Sequence, residues 1–406
     1  MADVAGEGPG RSQAPVILER IAERLAEIGR AGLLRRRFVR DGAQGPRISV
    51  QGREYLAFCS NDYLGLANHP QIVEAAVDAA LRYGVGQGAS HLLSGHSAVH
   101  ERLEAALARF VEMPRALLFS SGYQANIGAV TALAGPEDAV FSDALNHASL
   151  IDGVRLSRAR VARYPHADVD SLSEALAAAR GKTNLVVTDG VFSMDGDIAP
   201  LPELLELCER HNALLLVDDA HGFGVVGPEG RGSVAHFGLR SPRIVYVGTL
   251  GKAAGVSGAF VAGAADVVET VLQKARTYIY TTAAPAMLAA AVEASLHLIE
   301  KEEWRRERLR KLIEALQQGL RGTPAEPKRS DTPIQPLILG ENARAVGASA
   351  MLRERGILVP AIRPPTVPEG SARLRISLSA AHSEHDVSRL AAALREACES
   401  GVEAHA

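Results

Sequence analysis

The feature that most constrains the fold is a series of short apolar runs through the middle of the chain. They are ALLF (116–119), AVF (139–141), LVV (185–187), LLLV (214–217), IVYV (244–247) and AFVAG (259–263), each bounded by turn residues. Runs this short and rich in β-branched residues suit strands buried on both faces, the situation inside a mostly parallel sheet. The intervening segments, such as SLSEALAAAR and LPELLELCER, are long enough for crossover helices. An α/β fold is the expectation.

The flanks read differently. Residues 15–38 form an amphipathic helical pattern, with Ile17, Ile21, Leu25 and Ile28 on one face and a basic end at Arg35, Arg36 and Arg37,. Helices are predicted over 70–82 and 97–111, on either side of the turn GVGQGASHLLSG. After residue 285 the alternation gives way to one long helical stretch over about 286–321. A strand PIQPLIL, a helix near 343–355, a loop PPTVPEG (364–370), a strand ARLRISL and a helix near 384–399 follow. The division expected is a tail over 1–14, an N-terminal helix and arm over 15–60, a large domain over 61–290 and a smaller α+β domain over 291–406.

Composition excludes several classes of function. Among 406 residues, 44 Lys and Arg stand against 47 Asp and Glu, a net charge of −3 with both signs interspersed. That gives no electrostatic footprint for nucleic acid or an anionic membrane, and no run is long and apolar enough to span a bilayer. Cys59, Cys208 and Cys398 are odd in number and far apart, which fits a reducing compartment,. With no apolar segment at the N-terminus, a cytoplasmic protein is expected. HGFGVVG matches the dinucleotide glycine pattern, but PEGRG follows where a helix must open,. GKT at 181–183 lacks the first glycine of a phosphate loop,. The histidines are scattered without metal-ligand spacing, so no metal is expected.

Four elements remain at predicted strand ends, the usual ligand crevice of an open parallel sheet. FSSGYQAN opens a helix near Gly122, whose bare amides make a seat for phosphate,. Ser193 lies in TDGVFSMDGD, Asp218 and His221 lie in LLLVDDAHG, and Lys252 stands three residues beyond Thr249 in TLGKAAG. Singly, each reads as a cap or a solvated loop residue. Together they supply an amine for a Schiff base, a carboxylate for a pyridinium nitrogen and a phosphate seat, the needs of pyridoxal 5′-phosphate (PLP).

At these residues the chain resembles the α-oxoamine synthases, fold-type I PLP-dependent transferases, from about residue 17 to 400. The stretches that carry the resemblance include LLRRRF, FCSNDYLGLANHP, GASHLLSGHSAVHERLE, SMDGDIAPL, VDDAHGFGVVGPEGRG, YIYTTAAPA and AIRPPTVPEGSARLRISLSAAH. ASHLLSGHS, with His91 and His96, discriminates best among family branches. It points to the branch that joins L-alanine to a pimeloyl thioester, on CoA or a carrier protein, in biotin synthesis. A sister branch joins glycine to acetyl-CoA.

The resemblance implies a mostly parallel large domain, a smaller C-terminal domain and a homodimer. It implies that Lys252 carries PLP and later acts as base, that Asp218 meets the pyridinium nitrogen, and that His221 meets the phenolic oxygen. His147 would stack on the ring and assist decarboxylation. Gly122, Tyr123, Ser193 and Thr249 would hold the cofactor, and Thr281 and Thr282 would reach the phosphate of a neighbouring subunit. Arg375 would clamp the substrate carboxylate, while Arg35, Asn61 and Thr366 would line the acyl-donor side.

Overall fold

The apolar runs become strands, most of them a residue or two longer than the pattern that marks them. The computed structural model describes residues 14–31, 33–35, 37–322 and 330–403. The tail expected over 1–14 falls almost wholly outside these residues, as does Arg36. In chain order the described strands begin with β1 (Arg40–Asp41), β2 (Arg47–Val50) and β3 (Arg53–Ala57). The middle of the chain supplies β4 (Arg115–Phe119), β5 (Ala139–Asp143), β6 (Arg160–Tyr164), β7 (Asn184–Asp189), β8 (Ala213–Asp218), β9 (Ile244–Thr249) and β10 (Ala259–Gly263). The last are β11 (Ile334–Gly340), β12 (Ile357–Leu358), β13 (Ala361–Ile362) and β14 (Ala372–Ser377).

The middle group forms a seven-stranded sheet in the order β4-β10-β9-β8-β7-β5-β6. Strands β5 to β9 run parallel, and β10 lies antiparallel between β4 and β9. Successive side chains alternate between two apolar layers: Val186, Leu215, Val217 and Tyr246 enter one, while Leu185, Val187, Leu216, Val245 and Val247 enter the other. Each such side chain contributes about 1.5–3 kcal/mol on burial, so the central strands are fixed from both faces. Their C-terminal ends all emerge on one edge, where the chain turns into loops and helix N-termini.

Several expectations are corrected. The helix predicted over 15–38 ends at Arg30 (Ala14–Arg30), where Leu33 N closes back on Ile28 O at 2.9 Å. Arg35 and Arg37 lie in exposed irregular chain beyond it. Its apolar face stays open, with Ile17, Ile21, Leu25 and Ile28 44–56% exposed. The stretch over 286–321 is two helices, Ala286–Lys301 and Trp304–Leu320, broken where Glu302 leaves helical geometry (ψ 61°). Buried Arg306 pins that corner, donating to Glu303 Oε2 at 2.7 Å and Ile299 O at 2.8 Å.

The short strands β1 and β2 carry no continuous apolar run, and β3, β12 and β13 span only two to five residues; the pattern marks none of them. Strand β6 escapes for a related reason: it sits at the sheet edge with most of its residues outside the core. In the smaller sheet β3 pairs parallel with β12, Leu56 opposite Ile357, which ties the start of the chain to its last quarter. A third sheet runs β11-β14-β13.

Candidate active site

The strand-end residues converge on one cavity of about 180 Å³, lined by Gly122, Tyr123, His147, Ser193, Asp218, His221, Thr249 and Lys252. Gly122 opens the helix Gly122–Leu133 after β4, with Ser121 Oγ accepting from Gln124 N at 3.3 Å. A Cβ at Gly122 would stand 2.7 Å from Thr249 Oγ1, so only glycine lets this helix end approach the end of β9. His147 caps the helix Ala148–Ser157, and its Nδ1 accepts from Ser149 N at 3.3 Å and from Ser149 Oγ at 2.7 Å. The ring proton therefore sits on Nε2. Burial holds the His147 imidazole below its usual range, against the opposing pull of Asp218.

Asp218 ends β8 with both oxygens engaged. Oδ1 accepts from Ala220 N at 3.0 Å and Oδ2 from Asn126 Nδ2 at 2.5 Å. Lys252 Nζ lies 2.9 Å from His221 Nε2, and His221 Nδ1 lies 2.7 Å from Tyr63 Oη. The Tyr63 hydroxyl fixes the roles: its one proton goes to Asn61 Oδ1 at 3.1 Å, so His221 Nδ1–H donates to Tyr63 and Nε2 accepts from Lys252,. Burial, then the Lys252 charge, holds His221 well below the usual imidazole range, as this neutral tautomer requires. Burial also lowers Lys252 to about 8, against the opposing pull of Asp218.

Asn61 and Arg375 reach the site through this chain. Arg375 Nη1 donates to Asn61 Oδ1 at 3.2 Å and to Ser377 Oγ at 2.8 Å, while Nε donates to Ser193 O at 2.5 Å. Other expected residues are not brought to the cavity. Arg35 is exposed, Thr366 is exposed in its loop, Thr281 is half-buried and Thr282 exposed, and none of them lines it. Sequence reasoning missed Asn126, Ser149 and Asp189, which do. Asp189 had a signal, being a carboxylate at the end of an apolar run. Asn126 and Ser149 sit within helices and had none.

The histidines are also less scattered than their spacing suggests. His91, His96 and His100 gather with ring centroids 5.2–5.5 Å apart, and His91 stacks on Tyr278. His96 bonds His91 through Nδ1 at 2.9 Å and Glu101 through Nε2 at 3.1 Å, so both its nitrogens are engaged. This cluster lies outside the cavity described above.

The cavity fits PLP on its own chemistry. It combines an amine of lowered basicity, a fixed carboxylate, a helix N-terminus crowded against a threonine hydroxyl, and a buried Asn126 Oδ1 without a partner among the described residues. The aminotransferase class I and II family profile matches residues 53–394. Nitrosospira multiformis 8-amino-7-oxononanoate synthase is 60% identical over 378 residues, 93% of this chain and 96% of the relative. The Polaromonas sp. enzyme, 8-amino-7-oxononanoate synthase 1, is 58% identical over 95% of this chain and 97% of its own. Among solved structures, Sphingomonas wittichii serine palmitoyltransferase superposes with a TM-score of 0.88 at 33% identity, covering 95% of this chain and 98% of that one. Francisella tularensis 8-amino-7-oxononanoate synthase gives 0.74 at 31% identity, covering 86% and 99%.

The chain belongs to the aminotransferase class I and II family, with the fold of the fold-type I PLP-dependent transferases and pyridoxal 5′-phosphate as cofactor. Within that class it is a member of the 8-amino-7-oxononanoate synthase family, the PLP-dependent acyltransferases of biotin biosynthesis.

Proposed function

We propose that the chain condenses L-alanine with a pimeloyl thioester, carried by CoA or by a carrier protein, and releases 8-amino-7-oxononanoate, carbon dioxide and the free thiol. The observation that carries this reading is the hydrogen bond from Lys252 to neutral His221, in a cavity that also holds Asp218 and a helix N-terminus. When bound, PLP withdraws electrons from the amino acid attached to it and makes the Cα proton acidic. Lys252, with a pKa of about 8, is partly unprotonated near neutrality, as a nucleophile toward an aldehyde and a proton acceptor at Cα must be,. Asp218 supplies the negative charge that keeps a pyridinium protonated. His221 keeps its acceptor nitrogen toward Lys252 and would meet the phenolic oxygen of a bound PLP, and His147 would offer its Nε2–H for the decarboxylation step.

Gly122 and Tyr123 offer main-chain amides, and Ser193 and Thr249 offer hydroxyls, to the phosphate end. Arg375 takes the alanine carboxylate, and Arg35, Asn61 and Thr366 serve the acyl donor. In a homodimer, Thr281 and Thr282 would help hold the phosphate of PLP bound in the neighbouring subunit. The open apolar face of the helix Ala14–Arg30, together with exposed Leu92, Leu93 and Tyr280, supports such a partner copy. We assign residues 61–290 to a cofactor-binding domain and 291–406 to a smaller domain. No described helix is long and apolar enough to cross a membrane, in keeping with a cytoplasmic enzyme.

The test is product analysis by mass spectrometry, with alanine plus pimeloyl-CoA compared against glycine plus acetyl-CoA. Faster release of 8-amino-7-oxononanoate is the expected result. Preference for glycine and acetyl-CoA would reassign the chain to the 2-amino-3-ketobutyrate ligases.

A further inference from the structure

Asp189 and Asp218 are register partners at the ends of adjacent parallel strands, β7 and β8. Paired residues on neighbouring strands point to the same side, with backbones about 4.8 Å apart. Both carboxyl groups line the cavity, and both residues are buried, at 3% and 6% exposure. Two buried carboxylates so placed oppose each other's ionisation. The hydrogen bonds decide which one ionises. Asp218 accepts from Ala220 N and Asn126 Nδ2 at 3.0 and 2.5 Å, whereas the Asp189 carboxyl, among the described residues, accepts only the longer bond from His147 N, at 3.3 Å.

We propose that Asp189 is a further working residue of this site: a protonated carboxylic acid that presents an O–H donor to the cavity, leaving the charge of the pair on Asp218. The groups around it are Asp218 on β8, Asp143 at the end of β5, His147 at its helix cap and Lys252 beyond β9. Burial, then Asp218, raises Asp189 far above the usual carboxylate range, and Lys252 does not offset them. As a neutral acid, Asp189 can donate to an oxygen or nitrogen lone pair of the molecule bound there. An ionised Asp189 could only accept. What that donor meets rests on the cofactor reading above, but the protonation state of Asp189 does not.

The experiment compares holoenzyme of the wild type, Asp189→Asn and Asp189→Ala, with Asp189→Ser as a second small donor should the Asn variant not fold. The first readout is infrared difference spectroscopy at pH 7. A protonated-carboxyl stretch present in the wild type and missing from each variant is expected, and its absence from the wild type overturns the proposal. The second is the pH midpoint of the visible Schiff-base absorbance. Asp189→Asn, which keeps a neutral donor, should leave it within about 0.3 unit, whereas removing an ionised carboxylate this close would lower it by about a unit or more. Such a fall overturns the proposal. The third is kinetic: Asp189→Ala should lose about ten- to a hundredfold in kcat, with Asp189→Asn well above it. An Ala variant equal to the wild type refutes the donor role. A wild type without Schiff-base absorbance would instead defeat the cofactor reading, while the infrared result still decides Asp189.

Discussion

Tyr63→Phe isolates the hydrogen-bonded chain behind Lys252, because it removes one oxygen and leaves the buried ring in place. That hydroxyl accepts from His221 Nδ1 at 2.7 Å, donates to Asn61 Oδ1 at 3.1 Å and lies 3.4 Å from Arg375 Nη2. The Arg375 contact is long and weak, and Asn61 keeps a second donor in Arg375 Nη1. The cost therefore falls on His221, whose Nδ1–H loses its acceptor in a fully buried position. Leaving such a donor unsatisfied costs about 1–3 kcal/mol. His221 can recover part of this only by moving its proton to Nε2, which then opposes the Lys252 amine instead of accepting from it. We therefore expect stability to fall by about 1–3 kcal/mol in urea denaturation and kcat to fall roughly tenfold, with a smaller change in KM for alanine. Steady-state assays and denaturation of the same preparation measure both. A Phe variant with wild-type kcat and wild-type stability would refute the assigned tautomer and the coupling from Tyr63 to Lys252.

Further outcomes are expected at neighbouring positions. Lys252→Ala should abolish turnover and the visible cofactor absorbance while circular dichroism shows the fold intact. Gly122→Ala, whose Cβ would meet Thr249 Oγ1 at 2.7 Å, should weaken PLP binding by about tenfold or more in equilibrium titration, given the ~1–3 kcal/mol typical of overpacking. Capture of PLP by apoenzyme should accelerate through a midpoint near 8, because the ammonium form of Lys252 below that pH cannot attack an aldehyde; stopped-flow absorbance reads this directly. Burial pulls His166 down, but Asp143 and Asp197 outweigh it and hold the imidazolium up at about 10, against 6.5 unperturbed. Its raised pKa makes that stabilisation full below about pH 6.5 and lost progressively up to about 10. The stability gap between wild type and His166→Gln should therefore shrink between pH 6 and 9.5 in denaturant titrations.

How much of this was legible in the sequence depended on where each residue sits. Strands such as β8 and β9 announced themselves because burial on both faces demands continuous apolar runs. The edge strand β6 and the short strands β1 and β2 escaped because one-sided or brief pairing leaves no such run. Lys252, Asp218, His221 and Gly122 were visible because a parallel sheet delivers its strand ends to one crevice, so the position of each in its turn already placed it near the others. Tyr63 and Asn126 were not visible. Their importance comes from contacts made across 158 and 92 residues of chain, to His221 and Asp218, and spacing carries no trace of that. The helix predicted over 15–38 stopped early because no side of it is buried in this chain, so nothing rewarded extending it past Arg30.

The pairing of β3 with β12 has a consequence for biosynthesis. Leu56 cannot find Ile357 until about 300 further residues have been made, which at ribosomal rates of about 5–20 residues per second takes on the order of 15–60 s. Ser377 N, which bonds Phe58 O at 2.9 Å, arrives later still. Asn61 and Tyr63, on the segment just beyond β3, must therefore wait until residue 375 has been made before Arg375 can meet them. A nascent chain already carrying Lys252 and Asp218 still lacks the contacts that seat its reactive amine, so this architecture withholds competence until the β14 segment has emerged.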